Sequence, residues 1–169
     1  MAGTDANWPL RDSLLQISKK QVSHQSMRIG SGKEFVEITE IERVPQGVPD
    51  AGDVRVSVEV KLGEFGEFGG RYDSIWLEAS ALMCFVNELK VAENCRQGGA
   101  SLQSMSPDEF RLHIQSRDAV GHFAVEVLLS RHHHSGPANR LTSVSGGFEI
   151  DPDSLPAVLN AFKALSGSD

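Results

Sequence analysis

The sequence predicts an α+β fold: an antiparallel, twisted sheet of about six or more strands with two amphipathic helices packed on one face. Two observations carry this expectation. Helical periodicity is strong in only two places, each straight after a run of strand-like segments. In the first, Leu82, Phe85, Val86, Leu89 and Ala92 fall at i, i+3, i+4, i+7 and i+10; in the second, Leu155, Val158, Leu159, Phe162 and Leu165 repeat that spacing. The second observation is that the remaining chain reads mainly as alternating strands. Each helix therefore has one apolar face to bury, and a sheet is what the rest of the chain offers.

Taken in order, the first thirty or so residues have no readable pattern beyond Trp8, Leu10, Leu14, Leu15 and Ile17, followed by a polar stretch through Gly30, Ser31 and Gly32. The domain organisation expected is a poorly defined N-terminal extension over 1–33 and a single domain over 34–169. Phe35 to Val44 reads as a strand, broken by Pro45, Gly47, Pro49 and Gly52. Val54 to Leu62 alternates without error, with its valines directed to the core. Gly63, Gly66, Gly69 and Gly70 punctuate a turn, and Arg71 to Leu77 returns as a strand. Ser80 is the expected cap of the first helix, and Gly98 with Gly99 its stop.

Phe110, Leu112 and Ile114 then alternate with polar residues. A turn through Arg117, Asp118 and Gly121 leads to Phe123, Val125, Val127 and Leu129, a second alternating strand. Arg131 to Asn139 reads as a loop holding Gly136 and Pro137, and Leu141 to Ile150 as a strand interrupted by Gly146 and Gly147. Asp151 followed by Pro152 suits the start of the second helix, with Asp153 as the alternative cap that would more easily accommodate Pro156.

The chain has 169 residues, 40% of them hydrophobic, as expected of one globular domain. It shows neither a secretory leader nor an apolar stretch of the roughly 18 to 20 residues that a membrane helix requires. Its two cysteines, Cys84 and Cys95, are not spaced as a metal or redox pair, and Cys84 beside the apolar stripe is expected in the core. The expectation is a soluble protein in a reducing cytoplasm, without membrane attachment.

Net charge is −7, which argues against nucleic acid as a partner. Most of the excess lies between Glu34 and Glu67, where nine acids face three bases. A solvated strand face accounts for such a segment, as does a surface complementary to a cationic partner.

Motifs for chemistry are not found. The glycine-rich turn after Leu62 lacks the Lys-Ser/Thr of a phosphate loop, carries acids and precedes a strand rather than a helix. There is no G-x-S-x-G elbow and no H-E-x-x-H pair. The metal-ligand candidates are His113, His122 and the consecutive His132, His133 and His134. Neighbours in an extended segment point apart, whereas a metal needs converging ligands, so solvated histidines are expected, with no metal or other cofactor.

The alternating strand Val54 to Leu62, the glycine-interrupted turn, the strand to Trp76 and Leu77, the helix with Phe85 and Leu89, the turn Gly121-His122-Phe123, and the closing Gly147-Phe148-Glu149-Ile150-Asp151 with Ser154-Leu155 and a terminal helix together resemble the WapI-like immunity proteins of bacterial contact-dependent toxin systems. The resemblance covers roughly Phe35 to Leu165. It implies a non-enzymatic binding protein that occludes or distorts a cognate toxin domain inside the producing cell. It carries over no defined contact residue. For a basic toxin, Glu59, Glu64 and Glu67 are the residues expected to face the partner. A self-associating structural module and an enzyme with an unrecognised site are the alternatives.

Overall fold

The computed structural model describes residues 25–63, 68–118, 120–135 and 138–167, without the side chains of 133–135, 138 and 139. The apolar N-terminal positions Trp8 to Ile17 lie outside these residues. Eight strands and two helices follow one another as β1 (Ser26–Ser31), β2 (Glu34–Arg43), β3 (Val54–Leu62), β4 (Phe68–Leu77), α1 (Ala79–Cys95), β5 (Gly99–Gln103), β6 (Phe110–Ser116), β7 (Phe123–Ser135), β8 (Ala138–Ile150) and α2 (Leu155–Ser166). The class is α+β, as expected.

The strands form two sheets rather than one. Their orders are β1-β2-β3-β4 and β5-β6-β7-β8, each an antiparallel meander. A single eight-stranded sheet would present more apolar face than helices of 17 and 12 residues can cover. Two sheets cover the surplus on each other, meeting through β3 and β4 on one side and β7 and β8 on the other.

The expected apolar patterns are the buried ones. Val54, Val56, Val58 and Val60 are buried in β3, Phe110, Leu112 and Ile114 in β6, and Phe123, Val125, Val127 and Leu129 in β7. Both helical stripes are buried at every predicted position. All these side chains join one hydrophobic cluster spanning both sheets and both helices. The helices meet edge to face at Phe85 and Phe162, with ring centroids 4.6 Å apart. Beyond that contact, α1 lies on β5 and β6 and α2 on β1.

Several local expectations are corrected. Ser80 is not the cap of α1: the cap position is Glu78, two residues earlier, and the Ala79 N–H donates to Asp53 Oδ1 at 2.8 Å. A buried carboxylate at the start of β3 thus satisfies an end that the local sequence leaves open. The stop precedes the glycines, because Arg96 adopts the left-handed conformation with φ 55°. Cys84 and Cys95 are free and exposed, so Cys84 is not in the core. Cys84 precedes Phe85 by one residue, a turn of about 100°, which carries it off the buried stripe.

Residues 131–135 and 138–139, expected as a loop, belong to β7 and β8 and make a longer hairpin. Asp151 accepts from the Asp153 N–H at 2.9 Å and caps a 3-10 turn, Pro152–Ser154, from which α2 continues with Pro156 in its first turn. Two strands had no counterpart in the sequence reading, β1 and β5.

Two measurements test this packing. Phe162→Ala should lower unfolding free energy by about 3–5 kcal/mol in urea titration, the cost of emptying a well-packed aromatic site. Asp53→Ala should cost about 1 kcal/mol through loss of the helix-end acceptor, although it lies 26 residues from the amide it serves.

Candidate partner-binding surface

With the inner faces of both sheets in the core, the outer faces are what the fold presents. On β3, alternation sends Arg55, Glu59 and Lys61 outward, opposite the buried valines. Glu59, with a side chain 44% exposed, lies 3.9 Å from the Arg71 guanidinium on β4. Arg71 also donates to Asp73 at 2.7 Å, and Asp73 accepts the Ser57 hydroxyl at 2.6 Å. These bonds, Ser57 first and Arg71 second, hold the Asp73 carboxyl below its ordinary range and stabilise charged Arg71. Glu59 therefore belongs to a partly compensated network. Glu64 and Glu67 lie outside the described residues.

Other acids of the segment are paired as well. Arg43 reaches Glu40 through two nitrogens and donates to the Leu165 carbonyl at 2.7 Å, satisfying an acceptor in the last turn of α2. Arg55 meets Glu42 at 2.9 Å.

The outer face of the second sheet is an open trough of about 890 Å3. Its floor includes the small residues Ala124, Ser145 and Gly147, and its rims carry balanced charge. Glu126 accepts from the Gln115 amide at 3.1 Å and lies 3.9 Å from the His113 ring, while Arg117 and Glu149 are 2.5 Å apart.

At one end of this sheet, Asp118 organises the turn into β7. Its Oδ1 accepts the backbone N–H groups of Val120, Gly121 and His122, and Oδ2 lies 2.5 Å from His122 Nδ1. The imidazole and the three amides hold the Asp118 carboxyl down at about 2, and the carboxylate raises the His122 pKa. An oriented imidazole is one part of a nucleophilic site. However, the nearby Ser116 hydroxyl donates to the carbonyls of Arg96 and Asp118. The geometry is that of a structural turn.

The histidine candidates are not brought together. His113 faces outward from β6, His122 sits in the Asp118 turn, His132 is exposed on β7, and the side chains of His133 and His134 lie outside the described ones. No group of three or more potential ligands converges among the described residues. The Asp118–His122 pair and the Arg117–Glu149 pair were not anticipated. The first has a sequence signal in Asp118 three residues before Gly121, the second none, being 32 residues apart.

A raised His122 pKa contributes stability that is present below 6.5, the ordinary value, and is lost as pH rises through the folded-state value. A lowered Asp118 pKa contributes stability present above 3.8 and lost as pH falls towards about 2. Proton NMR should accordingly place the His122 titration midpoint above 6.5, and Asp118→Asn should bring it down. A midpoint at or below 6.5 in the parent would contradict the pairing.

No curated protein and no solved structure matches this chain. A family comparison gives one match, to the Immunity protein WapI-like family, over residues 27–166. That span runs from the first inward residue of β1 to the end of α2 and takes in both sheets and both helices. The chain belongs to the WapI-like immunity protein family.

Proposed function

We propose that this protein protects the cell producing it by binding a cognate toxin domain in the cytoplasm and occluding it, without performing chemistry itself. The observation that carries this reading is membership of an immunity family across the whole fold. The outer faces support it, since they offer open, hydrogen-bonded surfaces whose charged groups are paired among themselves. Among the described residues, no helix is long and apolar enough to cross a membrane.

The partner-facing residues in this proposal are Glu59, Glu64 and Glu67, at and after the end of β3, within the segment that holds most of the negative charge. Many toxins that act on nucleic acid are basic, and an acidic inhibitor gains association rate by electrostatic steering. Arg71 offsets part of the Glu59 charge.

Self-association is the second reading, and one observation favours it. On α1, Met83 and Val91 are 52% and 60% exposed, and Val91 lies on one face with Cys84 and Cys95 at i, i+7 and i+11. Light scattering under reducing conditions separates the two readings. A concentration-independent monomer mass removes self-association.

The direct test is capture of the tagged protein from its host at low and high salt, followed by affinity measurement with the toxin polypeptide recovered. Binding should weaken as salt rises. The combined change Glu59→Lys, Glu64→Lys and Glu67→Lys should reduce affinity by at least tenfold at low salt and flatten the salt dependence. Unchanged affinity at low salt would exclude this patch, and recovery of the protein alone under both conditions would count against toxin binding.

A further inference from the structure

We infer that the chain is a fused pseudo-dimer: two ββββα units, Ser26–Cys95 and Gly99–Ser166, whose mutual interface is of the kind that joins two copies of one protomer. The partner each half is shaped to receive is thus another unit of the same kind.

The register of the ladders establishes the equivalence. In the first half Ile38 pairs with Val58, Val36 with Val60, and Val60 with Gly70. In the second, Ile114 pairs with Val125, Leu112 with Val127, and Val127 with Gly146. The edge strands follow the same frame, Met27 opposite Ile38 and Ala100 opposite Ile114. The central strands keep matching residues in it: Val58-Glu59-Val60 with Leu62, and Val125-Glu126-Val127 with Leu129. Each meander then runs into a helix whose buried stripe begins five residues after a buried strand residue, Leu82 after Leu77 and Leu155 after Ile150.

The contacts between halves are reciprocal, as a two-fold relation requires. The helix following the first sheet packs on β5, the first strand of the second; the helix following the second sheet packs on β1. β3 touches β8, and β4 touches β7. Glycine is used where side chains of the facing sheet reach close to the strand. A Cβ at Gly70 would lie 3.8 Å from Leu129 and 3.3 Å from Val144; one at Gly146 would lie 2.8 Å from Leu62.

The strand starts match as well. The Gln25 carbonyl, just before β1, accepts from the Glu40 N–H at 2.9 Å, and the Gly98 carbonyl, just before β5, accepts from the Ser116 N–H at 2.8 Å. Ser116 also donates to the Arg96 carbonyl after α1, while Arg43, near Glu40, donates to the Leu165 carbonyl in α2. The end of α2 is thus tied to the end of β2, which pairs with the start of β1, as the end of α1 is tied to the end of β6, which pairs with the start of β5. At these two junctions the covalent difference is the link Arg96-Gln97-Gly98, present on one side only.

Circular permutation tests this with every described strand and helix retained. One permutant runs from Gly98 to Asp169 and continues directly into Met1 to Gln97. A second joins α2 to β1 through Gly167, one added glycine and Gln25, three residues as in the Arg96–Gly98 link. Both should be monomeric, with the parent's circular dichroism and unfolding midpoints within about 5 °C of each other. Folding of the first permutant alone would overturn the two-fold equivalence. Should neither fold, a protease site placed between Gln97 and Gly98 of the intact chain decides. Cleaved halves that stay paired, with a midpoint that rises with concentration, uphold the dimer-like interface; halves that separate overturn it.

Discussion

The rest of the structure depends on the helix pair. Each helix arises from its own half of the chain, yet each lies against the other half's first strand, and the two meet at Phe85 and Phe162. Neither sheet can bury its inner face with its own helix alone. Removing either aromatic ring therefore opens the boundary between halves rather than one end of one layer. That makes the core a single unit despite its division into two sheets.

This arrangement leaves the outer faces free of any duty to the core. Their charged side chains are in part satisfied by one another, as in the Glu59–Arg71–Asp73–Ser57 network and the Arg117–Glu149 pair. Exposed ion pairs of this sort contribute little to stability, so their residues can change with little effect on the fold. In the acidic segment Arg43, Arg55 and Arg71 sit within ion-pair distance of Glu40, Glu42 and Glu59 and offset part of its charge.

Local periodicity made much of this legible. The two helical stripes and the inward residues of β3, β6 and β7 are all readable because period 3.6 and period 2 are properties of neighbouring residues. The strands missed, β1 and β5, are short and rich in Gly and Ser, with only two inward apolar residues each. Division into two sheets was beyond reach because it is decided by which strand follows which across α1. For the same reason the acceptor for the α1 N-terminus, Asp53, was invisible beside the nearer Ser80. Cys84 was misplaced because the general tendency of free cysteine to be buried was given more weight than its angle on the helix. At the candidate surface, alternation placed Glu59 outward correctly, while its compensation by Arg71 depends on the β3–β4 pairing.

Native-state hydrogen exchange tests most directly the claim that the helix seam binds both halves into one core. The amides of Phe85 and Leu89 in α1 and of Leu159 and Phe162 in α2 should open with the same free energy as those of Val58 in β3 and Val125 in β7, all through global unfolding. Exchange in α2 that is markedly faster than in the strands would show the helix detaching independently, and would contradict the account.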